Sequence, residues 1–324
     1  MVALATLTAL ALLQGSSIKT AFGRPLETEL RGGPVPATPG RPGPLSVADW
    51  EALPPGAATA VIAPGRMTVQ VPILMYHYIR VPPDPATDHL GWGLSTSPDD
   101  FRHQMDYLDD HGYHPVTLTD LRAYLGGTQS LPDRPVVLTF DDGYTDVYSA
   151  AYPVLKEHHF KAVAYIVSGF VGREGENVMP DQVREMDTNG IEIGAHTMNH
   201  VDLTKVHGSD LWSEVKGSKD ALETLVGHPV LDFCYPSGRY DAEVVQAVQA
   251  AGYQSATTTQ GGAVHSLEDR FSWSRVRVSG SESLGDFARG LEPHETGIKP
   301  STFEMIRIPR AYPLVFNGGL AGLE

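Results

Sequence analysis

Pro135-Val136-Val137-Leu138-Thr139-Phe140-Asp141-Asp142-Gly143-Tyr144 is an apolar run that stops at two adjacent carboxylates and a glycine. A short run rich in β-branched residues and bounded by turn formers reads as a parallel strand covered on both faces. Ligands of α/β folds gather where such strands end, so this strand delivers two acids to a place where chemistry is done. Two carboxylates there are costly unless something cationic holds them. By itself, Asp-Asp-Gly is also an ordinary turn or helix-start sequence.

The partner is in a second stretch. Ile191-Glu192-Ile193-Gly194-Ala195-His196 reads as another strand, and it runs into His196-Thr197-Met198-Asn199-His200. On a helical turn, positions four apart share a face. Two neutral imidazoles and one carboxylate leave an open position on a divalent ion, the arrangement of a catalytic rather than a structural zinc site. The second carboxylate is then free to act as base. A solitary His-x-x-x-His pair is more often a solvated helix face; two such sets, each following an apolar strand in one domain, point to a metal site. Imidazole and carboxylate donors suit zinc first, with cobalt, nickel or iron as alternatives.

Thr139-Phe140-Asp141-Asp142-Gly143-Tyr144 followed by His196-Thr197-x-x-His200 resembles the polysaccharide deacetylase family, the family 4 carbohydrate esterases with a NodB-type domain. The resemblance covers roughly residues 70 to 290. It implies an α/β fold of the deformed (β/α) barrel type, a metal held by Asp142, His196 and His200, and Asp141 as general base. Leu231-Asp232-Phe233-Cys234-Tyr235-Pro236-Ser237-Gly238 resembles the family's third motif, usually written with an arginine, two prolines, an aromatic and a glycine. In the family the backbone N–H at the aromatic position helps hold the oxyanion, and a backbone donor survives a change of side chain. Tyr235, Pro236, Ser237 and Gly238 are therefore assigned to substrate and oxyanion contacts. Cys234 stands where the arginine would be and Ser237 where the aromatic would be. Arg275, in Ser274-Arg275-Val276-Arg277-Val278, is the first candidate for a replacement partner to Asp141, and Arg277 the second.

The family's C-terminal Leu-x-His motif, the source of its general acid, has no counterpart after residue 280, and His294 follows no apolar strand. Met75-Tyr76-His77 instead resembles the permuted arrangement of the biofilm poly-N-acetylglucosamine deacetylases, in which the acid histidine comes first. Closure of a barrel makes first and last strands neighbours, so His77 is expected across the substrate pocket from Asp141.

The 324 residues, 41% hydrophobic and 19% charged, suffice for one large α/β domain with extensions. Residues 2–13 are apolar and too short to span a bilayer, which makes 1–22 a signal peptide or membrane anchor. A Pro/Gly-rich linker follows over 23–66, then the deacetylase domain over 67–292 and an extension over 293–324. Inside the domain, Ser97-Pro98-Asp99-Asp100 is a helix start, Phe101, Met105 and Leu108 share one helical face, and Gly112 closes that helix. Strands and helices alternate from there: a strand at 115–117, a helix from Asp120, the acid strand, a helix over 145–158, a strand over 162–167 and a short helix from Pro180. The histidine strand comes next, then a helix carrying Leu211, Val215, Leu222 and Leu225, then a helix over 241–252. Such alternation argues for parallel strands with right-handed crossovers.

A net charge of −15 argues against nucleic acid, which needs a basic face, and permits neutral glycans. A single cysteine, Cys234, excludes an intrachain disulfide and does not decide the compartment. No protein partner is expected, and the N-terminus is a candidate membrane tether. The reading that results is a secreted or envelope-associated, metal-dependent N-deacetylase of an N-acetylated polysaccharide, with poly-N-acetylglucosamine, peptidoglycan and chitin oligomers as rival substrates. A metal-dependent C–N hydrolase of a non-glycan amide and a catalytically weak glycan-binding protein are the alternatives.

Overall fold

The structure, a computed structural model, describes residues 67–280 and 282–292. The expectations at 1–66 and 293–324, His294 included, lie outside the described residues.

Its strands are β1 (Val69–Gln70), β2 (Ile73–Tyr76), β3 (Tyr78–Ile79), β4 (Ser95–Thr96), β5 (His114–Pro115), β6 (Pro135–Phe140), β7 (Ala162–Ile166), β8 (Ile191–Ala195), β9 (Asp232–Cys234), β10 (Ser255–Gly261), β11 (Val264–His265) and β12 (Trp273–Arg277). Seven of them run parallel in the spatial order β2-β6-β7-β8-β9-β10-β12, and β12 returns to pair with β2, which closes a barrel. The deformation expected of this barrel has local causes. Pro135 and Val136 of β6 pair with β5, so β7 joins β6 only at Thr139 and Phe140. The register between β10 and β12 also shifts between Thr257 and Gly261.

Successive side chains of a strand point to opposite faces. On β6 this sends Val136, Leu138 and Phe140 outward to an apolar layer shared with Phe101, Met105, Leu155, Met186 and Leu222 of the surrounding helices. Val137 points inward with Ile73, Val163, Tyr165, Cys234 and Trp273, over Leu118, Leu121 and Leu125 of the helix Leu118–Leu125, which floors the barrel. Thr139 and Asp141 continue this inward row toward the mouth. The N-caps read from sequence are in place: the side chains of Ser97 and Asp241 accept from the N–H groups of Asp100 and Val244. The helix at Asp120 starts earlier, at Leu118, because Thr117 and Asp120 form a reciprocal capping box.

The helix expected over 145–158 is a π turn, Val147–Ala151, followed by an α segment, Tyr152–Glu157. Pro153 lacks the N–H that a regular helix would use there. The polar strand β10 carries no apolar signal, yet Ser255 to Thr258 are buried because both barrel neighbours cover them.

His265 closes the barrel's underside and is 1% exposed. Its Nε2 lies 3.0 Å from the Val71 carbonyl, which places the ring proton there, and its buried Nδ1 has no partner. Burial, opposed by the Val71 bond and by Asp269, pulls its pKa from 6.5 down to about 4. The folded value lies below the unfolded one, so the unfolded chain binds the extra proton. Stability should be full above about pH 6.5 and fall by up to about 3 kcal/mol as pH drops toward 4. Urea titrations at pH 7, 5 and 4 should show a smaller acid loss in His265→Gln than in the parent; equal losses would remove His265 from the account.

Candidate metal centre

The two aspartates at the end of β6 part ways. Asp141 keeps the strand's alternation and points into the barrel. Asp142, at φ +72°, and Gly143, at φ +68°, turn the chain over the mouth. A Cβ on Gly143 would sit 3.1 Å from Ile166 Cδ1, so a side chain here would press on Ile166 in addition to straining a left-handed backbone.

Asp142 Oδ1 lies 3.3 Å from His196 Nε2 and 3.2 Å from His200 Nε2. His196 Nδ1 is 2.7 Å from the Cys234 carbonyl, so that nitrogen carries the proton and Nε2 presents a lone pair to the carboxylate. Oδ1 is accordingly a buried oxygen without a hydrogen-bond partner. A buried carboxylate oxygen without a hydrogen-bond partner, facing two imidazole nitrogens of which one has its lone pair fixed toward it, is a donor set for a cation. One ligand atom from each of Asp142, His196 and His200 lies within 4.8 Å of the other two. Asp141, His196 and Cys234 meet the same distance, but both Asp141 oxygens are already taken by an arginine.

The two histidines do not share a helical face, which corrects the sequence reading. Residues 196–200 form a bend in which Thr197 (φ +65°) and His200 (φ +55°) are left-handed. Thr197 Oγ1 accepts from the His200 N–H at 2.8 Å. The Glu214 carboxylate accepts from the N–H groups of Met198 and Asn199 at 3.1 and 2.9 Å. The helix is lost because these side chains satisfy the N–H groups first. Four of the six positive-φ non-glycine residues among the described residues, Asp142, Thr197, His200 and Ser237, line or build this site, which is where strained backbone concentrates.

Arg275 answers the question left by Cys234. From β12 it reaches across the barrel and forms a bidentate pair with Asp141, Nη1 to Oδ1 and Nη2 to Oδ2 both at 2.7 Å. Its Nε donates to the Thr258 carbonyl at 2.8 Å and Nη1 to Thr139 Oγ1 at 3.0 Å. Nη2 lies 3.2 Å from Cys234 Sγ: the small side chain leaves the room the guanidinium fills. Burial alone would raise the Asp141 pKa, but Arg275's charge and hydrogen bonds hold it below the usual carboxylate range. Arg277, the second candidate, is exposed at the rim and makes no ion pair among the described residues.

His77 follows β2, and the pairing of Tyr76 with Phe140 brings it level with Asp141. Its Nε2 is 3.7 Å from Asp141 Oδ2. It lines the same cavity, but beside Asp141 and not across from it, because β2 and β6 are adjacent in the closed barrel. Burial pulls its pKa below 6.5 against the opposing charges of Asp141 and Asp142.

The third-motif residues divide. Tyr235 turns outward, gives its hydroxyl to the Phe271 carbonyl at 2.9 Å and its N–H to the Thr257 carbonyl. Pro236 has no N–H and is buried. Gly238 gives its N–H to the Tyr235 carbonyl, and a Cβ there would meet Thr259 Oγ1 at 2.1 Å. Ser237, at φ +55°, is the residue of the four that lines the cavity.

One wall of this cavity, whose volume is about 430 Å³, is absent from the sequence reading. The rings of Tyr78 and Tyr144 stack at 3.9 Å, and the Arg80 guanidinium lies 3.5 Å over Tyr78. Two signals point to it in the chain: Tyr144 closes the acid motif, and Tyr78 and Arg80 alternate across Ile79 directly after His77.

The family description "Polysaccharide deacetylase" matches residues 128–256. The Bacillus subtilis protein YxkH, provisionally named a polysaccharide deacetylase, is 32% identical over 223 residues, 69% of this chain and 76% of its own length. The poly-β-1,6-N-acetyl-D-glucosamine N-deacetylase of Escherichia coli is 24% identical over 250 residues, 64% of this chain; the chain spans 37% of that relative's length. A solved Streptococcus pyogenes deacetylase in complex with acetate superposes with a TM-score of 0.65 at 30% identity, over 70% of this chain and 100% of its own. With the acid and histidine strands closing one parallel barrel and relatives matched over most of that barrel, the chain belongs to the polysaccharide deacetylase family.

Proposed function

We propose that the protein is a metal-dependent N-deacetylase that hydrolyses the acetamide of N-acetylglucosamine units in an extracellular polysaccharide. The observation that carries this reading is the unpartnered Asp142 Oδ1 facing the Nε2 atoms of His196 and His200, next to a carboxylate that an arginine keeps ionised. Asp142, His196 and His200 would hold a divalent ion, zinc first among the candidates. Such an ion supplies a Lewis acid that acidifies water and polarises a carbonyl oxygen. Asp141, held in its charged form, takes the proton of the attacking water. The Ser237 N–H is the backbone donor for the oxyanion that develops on the acetyl oxygen. His77, beside Asp141, delivers a proton to the departing amine, which leaves poorly without one. Tyr144, stacked through one face on Tyr78, has its other face to offer the apolar side of a sugar ring.

Export of the chain, by a cleaved signal or a retained anchor, accords with a substrate outside the cell. No helix among the described residues is long and apolar enough to cross a membrane.

Acetate release from N-acetylglucosamine oligomers, measured with metal, after chelation and after zinc is restored, tests the reading. Release should vanish on chelation and return with the metal. His77→Ala should keep the metal and lose turnover by about 10²–10⁴-fold. Oligomer binding with no acetate release under any divalent metal would favour the glycan-binding alternative.

A further inference from the structure

The mouth of the candidate cavity carries two guanidinium groups that neither the metal ligands nor the base requires. Arg275 alone satisfies Asp141, taking both oxygens. Arg277 is two residues further along β12, on the same inward-facing row, and lines the cavity with Asp141, Asp142 and His77. The charges that act on it most are Arg275, which repels it, and Asp141, which is already paired. Among the described residues no carboxylate forms an ion pair with it. Arg80 also lines the cavity, held flat 3.5 Å over the Tyr78 ring and by a 3.1 Å bond from Nε to Ser95 Oγ. Asp146 feels its charge but forms no ion pair with it. The whole chain carries −15, so two cations that have no carboxylate partner among the described residues, at one cavity mouth, run against the background.

We propose that Arg277 and Arg80 form an anion subsite, and that the preferred substrate is an N-acetylated glycan bearing a carboxylate or phosphate close to the acetamide that is cleaved. The inference rests on the deacetylase reading and narrows its substrate class. A guanidinium recognises both anions through paired N–H donors. Arg80 is positioned by its stack on Tyr78, so little freedom is lost when it binds. The Arg277 guanidinium makes no hydrogen bond among the described residues, which leaves its donors to the ligand. Hydrogen bonds to charged groups contribute enough for a preference of roughly 10–100-fold, and one formed at a solvent-exposed mouth weakens with salt.

The test compares kcat/KM for acetate release from three matched N-acetylglucosamine oligomers: neutral, carboxylate-bearing and phosphate-bearing. The parent, Arg277→Gln and Arg80→Gln are assayed at low and high salt after metal content confirms that each is folded. The expected result is that an acidic oligomer exceeds the neutral one by about tenfold or more, with the ratio collapsing in Arg277→Gln through KM. A preference for only one of the two acidic oligomers identifies the anion. Equal kcat/KM on neutral and acidic oligomers, or an acidic preference that survives Arg277→Gln and Arg80→Gln, overturns the subsite. If no oligomer loses acetate, the deacetylase reading has failed, and calorimetric binding of the same oligomers to the parent and Arg277→Gln decides the subsite: binding of acidic oligomers that needs Arg277 supports it, and its absence overturns it.

Discussion

Replacing Arg275 with methionine is expected to cost about 3–5 kcal/mol of stability at neutral pH, the penalty for leaving a buried charge without its partner. Asp141 is 2% exposed, and its two strongest bonds are the paired 2.7 Å contacts from Arg275. In the parent these hold the Asp141 pKa below the ordinary carboxylate value, so the stability they contribute is present above that value and lost as pH falls through the folded one. In Arg275→Met burial acts without that opposition and the Asp141 pKa rises. The variant's deficit should therefore be largest at neutral pH and shrink in acid, as Asp141 protonates. Removing the other half of the pair, in the double variant Asp141→Asn with Arg275→Met, should recover much of the loss, since a buried pair replaced as a whole is close to neutral. Denaturant titrations at pH 7 and pH 5 on the three proteins settle this. A single variant within about 1 kcal/mol of the parent at pH 7 would mean that water, not Arg275, supports Asp141. The same substitution should also move the acid limb of the activity profile upward, because the base is then protonated over part of the working range.

The second large effect separates two carboxylates that are neighbours in sequence and identical in chemistry. Asp141→Asn leaves Arg275 without its partner and should lose stability as Arg275→Met does. Under conditions where denaturant titration shows it folded, it should retain metal and lower kcat by about 10²–10⁴-fold, the usual contribution of a positioned base. Asp142→Asn should lose metal together with activity, because the amide replaces the charge of a ligand whose Oδ1 faces His196 and His200 at 3.3 and 3.2 Å. Metal content by elemental analysis, set beside kcat, reads both outcomes. Equal metal loss in the two variants would show that the division of labour is wrong. So would an Asp142→Asn protein that keeps its metal and loses only rate.

What the chain declares by itself is the set of strands and the identity of the polar residues at their ends. Val137, Thr139 and Asp141 must share a face because strand side chains alternate, and the β-branched run around them must be covered on both sides. The acid and histidine motifs are legible for the same reason: each is a local pattern of a few residues attached to a strand. Anything that depends on register between strands distant in sequence is not. Arg275 and Arg277 lie on the same row of one strand, and only the pairing of β12 with β2, and of β2 with β6, decides that the first starts at the height of Val137, from where its long side chain reaches up to Asp141, while the second stands at the rim. The motif at His77 points to the right cavity but to the wrong side of it, because the pairing of Tyr76 with Phe140 is a property of the closed barrel. The spacing His196-x-x-x-His200 fits a helical turn, and the loop prevails because Glu214, brought in from a different helix, binds the N–H groups of Met198 and Asn199. Alternation fixes which face a side chain takes; the height at which it meets its partner is set by contacts between segments that local sequence does not connect.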